Sequence, residues 1–220
     1  MLEMNFEEAR KQMVGQQIRG WDVLDPDVVD VMSRLPRERF VPEQYRNLAY
    51  ADSEIPIGHG QIMLRPSVQG RTLQAAQVQH GERVLEIGTG TGYLSACLAA
   101  LGGDVRSLEY HEDLANAAKK SLNAAGTEGV VVVREDAHTL DADGAEYDVI
   151  IVTGSLPEAD SSFMRRLALG GRLVWFLGQA PAMRAELVTR VEDEEWRREG
   201  LFETVVPPLI GTEPVRKFEF

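Results

Sequence analysis

The chain has 220 residues, 44% of them hydrophobic and 26% charged, a composition that fits one well-buried globular core and excludes a fibrous or low-complexity chain. Twenty-three Lys and Arg against 35 Asp and Glu leave a net charge of −12, a field that repels a phosphate backbone and argues against nucleic acid as substrate. A single cysteine, Cys97, excludes an intrachain disulfide and a thiolate metal cluster, and it fits a reducing compartment.

Met1 to Arg10 carries charges where a signal peptide has its apolar stretch, and no run approaches the ~18 apolar residues of a membrane span, so a cytoplasmic protein without membrane association is expected. Phe6, Ala9, Met13 and Ile18 recur at roughly helical spacing and predict an amphipathic helix over 6–18. A second helix starts at Asp25-Pro26, where the carboxylate caps the first free N–H groups and proline suits the first turn; it runs through Val28, Val31 and Met32 toward Pro36. Residues 36–66 have no sustained period and are rich in Pro and Gly, which predicts an ordered irregular segment of functional importance.

After Gly81 the pattern alternates. Strands are expected at 83–87, 105–108, 130–133, 149–152 and 173–177, with helices at 93–101, 113–125 and 163–169, the last ended by Gly170-Gly171. Apolar runs in the strands fit a parallel sheet buried on both faces and joined by right-handed crossovers. Strand-like residues at 185–191 and 202–206, around the charged turn Glu192 to Glu195, offer an antiparallel edge. The expected fold is a doubly wound, mostly parallel α/β sheet. Residues 1–78 form a helical and loop segment over the active site and 79–220 a Rossmann-like domain, the two making one compact unit.

The strongest local signal is the strand leading into Glu86-Ile-Gly88-Thr89-Gly90-Thr-Gly92 and then a helix. Glycines there let a ligand approach bare backbone and permit positive φ. A dinucleotide loop needs a small residue at position 93, which is tyrosine, and a phosphate loop needs a lysine, of which there is none between Glu86 and Asp113. What remains is the G-x-G-x-G loop of class I methyltransferases, which lies against S-adenosylmethionine. Glu109, 23 residues after Glu86, ends the next strand at the offset from which an acid reaches ribose hydroxyls, and Asp136-Ala137 follows the third strand within reach of an adenine amino group.

Longer strings resemble the protein-L-isoaspartate O-methyltransferase family. They include Pro36-Arg-Glu-Arg-Phe-Val-Pro42, Ala49-Tyr-Ala-Asp52, Gly58-His-Gly-Gln61, Arg83 to Tyr93, Ile150-Ile-Val-Thr153 and Gly170-Gly-Arg-Leu173. The resemblance implies methyl transfer from S-adenosylmethionine to an isoaspartyl α-carboxylate of a damaged protein, leaving S-adenosylhomocysteine. It also implies a protein or peptide partner and a cofactor site of Ile62, Met63, Leu64, Glu86, Gly88, Thr89, Gly90, Gly92, Glu109, Asp136 and Ala137.

One departure bears on catalysis. Where the family has Thr-Ile-Ser before its proline, this chain has Ile62-Met63-Leu64-Arg65-Pro66, so Leu64 stands at the position of the serine credited with an active-site role and has no hydroxyl to donate. Two alternatives follow, a changed substrate on the same scaffold and a relative that binds cofactor without catalysis. Arg65 and Arg71 are candidates to clamp a carboxylate in place of that hydroxyl, against a reading as surface charges. His59 is a candidate base for a neutral acceptor, against a reading as a turn-holding residue. Met63 and Tyr93 either pack in the core or line the cofactor cleft. The other histidines share no spacing and read as exposed, and no metal site is expected.

Overall fold

The computed structural model describes residues 5–139 and 144–212. Seven strands form the main sheet: β3 (Arg83–Ile87), β4 (Asp104–Glu109), β5 (Val130–Arg134), β6 (Tyr147–Leu156), β7 (Leu167–Gln179), β8 (Ala182–Glu192) and β9 (Glu195–Glu203). Their order is β5-β4-β3-β6-β7-β8-β9, with the first five parallel and the last two antiparallel. The order therefore reverses beside β3, and a crevice opens there past the carboxyl ends of the strands.

Alternate residues of the central strands feed two cores. Val84, Val149 and Ile151 pack with the amino-terminal segment and with α4 (Tyr93–Ala100) and α5 (Glu112–Ala125), whereas Leu85, Ile150 and Val152 pack with Trp175 and Phe163 on the other face. That second face is thinly clad, because between β6 and β7 the chain makes only the four-residue α6 (Ser161–Met164). Fully buried Phe163 anchors it, a contribution of about 2–3 kcal/mol.

The sequence expectations hold for β3, for α4 and α5 to within a residue, and for α2 (Pro26–Arg34), where Asp25 Oδ1 accepts from the N–H groups of Asp27 and Val28. Four differ. The first helix is α-helical only over α1 (Phe6–Gln12); Met13–Ile18 widens to a π-helix that buries Met13, Val14 and Ile18. Residues 36–66 are not wholly irregular, since they contain the hairpin β1 (Ile55–Gly58) and β2 (Gln61–Met63) and end where α3 (Pro66–Ala76) begins. The helix expected to run to Leu169 stops at Met164. Leu167 already pairs with Tyr147, and the residues before Arg172, Gly170 with φ +78° among them, are looped out where the register shifts. The last strand is β9 rather than 202–206. Its charged residues hide an edge strand whose Arg198 pairs with buried Glu186 and whose Trp196 Nε1–H donates to the Met164 carbonyl.

Among the described residues no helix is long and apolar enough to cross a membrane.

Candidate active site

The crevice at β3 is a cavity of about 890 Å³, part of it open to solvent, and its walls come from both halves of the chain. Ile57, Gln61 to Leu64 and Gln69 reach it from the amino-terminal segment; the glycine loop, Glu109, Asp136 and Thr153 reach it from the strand ends.

The glycine loop turns with φ of +94° at Gly88, +54° at Gly90 and +83° at Gly92, conformations that favour glycine. A Cβ on Gly88 would lie 2.2 Å from Thr153 Oγ1, and one on Gly90 would lie 3.2 Å from Ile57 Cδ1, so side chains here would fill the cradle. The Leu108 carbonyl accepts from both Gly88 N–H (2.8 Å) and Thr89 N–H (3.1 Å), and Thr89 Oγ1 contacts Ser107 Oγ at 2.6 Å. Glu109 ties the loop from the other side. Its carboxylate accepts from Gly90 N–H at 2.8 Å and His111 N–H at 3.1 Å. A carboxylate offers about four lone-pair sites, so acceptors remain for a sugar diol.

Glu86 is fully buried at the cavity floor. Its Oε2 accepts from Ser107 Oγ (2.6 Å) and Ser95 Oγ, while Oε1 is shielded from solvent without a partner. Burial pushes its carboxyl up to about 7, partly offset by the two serines. Glu86 thus presents an unpartnered carboxyl oxygen among the residues that line the cavity. Asp136 lines the cavity beside Ala137, and its Oδ1 accepts from His138 N–H at 3.0 Å.

Ile62, Met63 and Leu64 all line the cavity. The Leu64 side chain packs with Val68, Phe176, Ala185 and Val206, and its carbonyl accepts from Arg37 Nη2 at 2.7 Å. Arg37 was not anticipated. It is fully buried, donates also to the Ala49 carbonyl (2.8 Å) and to Gln69 Oε1, and lies 4.9 Å from the centroid of the Tyr93 ring. Tyr93 is likewise buried, in the core rather than in the cavity wall.

Arg65 and Arg71 are not among the cavity's lining residues. Arg65 pairs with Glu54 at 3.1 Å, and Arg71 donates to the Trp21 and Leu201 carbonyls across the Phe202 ring. In this structure α3 carries Arg71 against β9, and Glu54 holds Arg65. His59 contacts Asp113 and stacks on His111, so histidines without common spacing meet in space. Thr153, Leu209 and Ile210 also line the cavity. Thr153 was legible as the end of a parallel strand, whereas the tail residues carry no local signal.

A profile of the family described as protein-L-isoaspartate(D-aspartate) O-methyltransferase matches residues 8–213. Protein-L-isoaspartate O-methyltransferase 1 of Rhodopseudomonas palustris is 41% identical over 210 residues, covering 95% of this chain and 86% of the relative. The Aeropyrum pernix protein of that name is 38% identical over 216 residues, covering 96% and 83%. In fold, the chain resembles a Plasmodium falciparum crystal structure named for the same activity and solved with S-adenosyl-L-homocysteine, at a TM-score of 0.81 and 20% identity over 94% of this chain and 99% of that one. The cavity at the switch point, the glycine cradle and the match along almost the whole chain agree: this protein belongs to the protein-L-isoaspartate(D-aspartate) O-methyltransferase family, whose methyl donor is S-adenosylmethionine.

Proposed function

We propose that this protein methylates the α-carboxylate of L-isoaspartyl residues in damaged cytoplasmic proteins. The observation that carries the reading is the family match over residues 8–213, which includes Gln61 to Leu64 of the cavity wall. S-adenosylmethionine, when bound, supplies an electrophilic methyl group. A carboxylate is already ionised at neutral pH and needs no base to attack it. The chain's own residues then have to orient the acceptor and exclude water.

Gln69 supports this assignment where Leu64 has removed the family hydroxyl. A guanidinium can only donate, so Arg37 fixes Gln69 with Oε1 toward itself and leaves the amide nitrogen to donate elsewhere. Gln69 also lines the cavity. It is the donor we assign to the substrate carboxylate.

The test uses radiolabelled S-adenosylmethionine and peptide pairs that differ only in Asp against isoAsp. Base-labile label confined to the isoAsp peptide is expected. Leu64, packed into an apolar cluster, favours one second reading, a changed acceptor on the same scaffold. Cofactor binding with no labelling of the isoAsp peptide would overturn the first reading in favour of the second.

A further inference from the structure

Three side chains that the sequence scatters meet at the rim of the cavity. His59, at φ +53°, tips the β1–β2 turn; His111 caps the start of α5; Asp113 lies in its first turn. His59 Nε2 stands 2.9 and 3.0 Å from the two Asp113 carboxylate oxygens. The rings of His59 and His111 stack with centroids 3.8 Å apart and planes 9° from parallel. One nitrogen of each imidazole and one Asp113 oxygen all lie within 4.8 Å of one another. His111 Nε2 is shielded from solvent with no hydrogen-bond partner, a state that costs free energy unless something occupies its lone pair or proton.

We propose that His59, His111 and Asp113 form a site for one divalent transition ion of the zinc class. Two imidazoles and a carboxylate are nitrogen-rich donors that suit zinc, cobalt or nickel, whereas calcium and magnesium take oxygen ligands. Tetrahedral ligation at about 2.0–2.2 Å sets ligand atoms about 3.3 Å apart, so the widest separation has to close by about 1.5 Å. The His59 and Asp113 side chains, 40% and 69% exposed, have room to do this. Parallel rings keep their in-plane lone pairs in separate planes, so ligation also requires the His59 ring to turn out of the stack. Three protein ligands leave a fourth position for water. The chain's charge of −12 and Glu112, in the same helical turn, attract a cation. His111 lines the cavity, and His59 precedes the strand that carries Gln61 to Met63 into its wall. The bound ion therefore clasps the hairpin to the head of α5 across the cavity rim.

The experiment is a titration of chelator-stripped full-length protein with Co²⁺, read by visible ligand-field absorption, followed by displacement with Zn²⁺. One saturable equivalent is expected. His59→Ala and His111→Ala should each weaken it more than about 10-fold, the loss that even outer partners of metal ligands produce. Melting curves in chelator check that each variant folds, and His59→Gln and His111→Gln replace any that does not. The readout is independent of methyl transfer. The site is overturned if no saturable band appears up to about 1 mM Co²⁺, or if both histidine variants bind as tightly as the parent.

Discussion

Glu86 is a buried acid on the cavity wall whose burial acts against stability at neutral pH. Its carboxyl, pushed up to about 7 chiefly by burial, holds a proton in the folded chain at pH values where the unfolded chain has lost it. The native state thus binds more protons between pH 4.5 and 7, and stability falls as pH rises through that window, by about 3 kcal/mol in all. Glu86→Gln should flatten this slope and raise stability at pH 8, while weakening S-adenosylhomocysteine binding. Urea melts at pH 5 and 8 with calorimetry check it, and an unchanged slope would refute the buried-acid account. Gln69→Glu keeps a partner for Arg37 but removes the donor, so KM for an isoAsp peptide should rise about 10-fold with cofactor affinity held. Leu64→Ser should raise transfer to the same peptide, since it returns a hydroxyl to the wall; steady-state kinetics on both variants decide.

At the scale of elements, the glycine loop is held by the strand next to it. Thr153, on β6, donates to the Ile87 or Gly88 carbonyl at 2.9–3.0 Å and occupies the space a Cβ on Gly88 would need. Gly88→Ala should therefore cost more than about 2 kcal/mol through clash and positive φ together. In Gly88→Ala/Thr153→Ala the clash is gone, because the Thr153 Cβ itself lies at an ordinary 3.6 Å, and the φ strain alone remains. The double-mutant cycle should show coupling of at least about 1 kcal/mol; strictly additive melts would refute the clash. The loop was legible from glycine spacing, but Thr153 as its counterpart was not, because 65 residues separate it from Gly88. Likewise the π-helix and the bulge before Arg172 depend on what they pack against. Propensity cannot report that.

Across the whole molecule, the amino-terminal segment and the sheet share one core. Met13, Ile18, Met32 and Phe40 pack in the same cluster as Val84, Tyr93, Val149 and Val174. We propose that residues 1–78 and 79–220 unfold together. Variants retaining only Trp21, on the first segment, or only Trp175, in the sheet, should report the same urea midpoint. Two midpoints separated by more than about 0.5 M would show independent units. Buried Arg37 contributes to this shared core, since its guanidinium, bonded to Ala49, Leu64 and Gln69 in the first segment, also lies 4.9 Å from the centroid of the Tyr93 ring in the second.

The sequence by itself determined the alternation of strands and helices, the glycine cradle, the acids at strand ends and the family, because each is written in local periodicity or in contiguous strings. Only the tertiary structure decided that Arg65 and Arg71 find partners outside the cavity lining, that buried Arg37 holds Gln69 in its wall, and that His59, His111 and Asp113 converge. Those outcomes depend on which surfaces pack together after the chain has crossed the sheet, and contacts between residues 30 to 130 positions apart leave no mark in the order of neighbours.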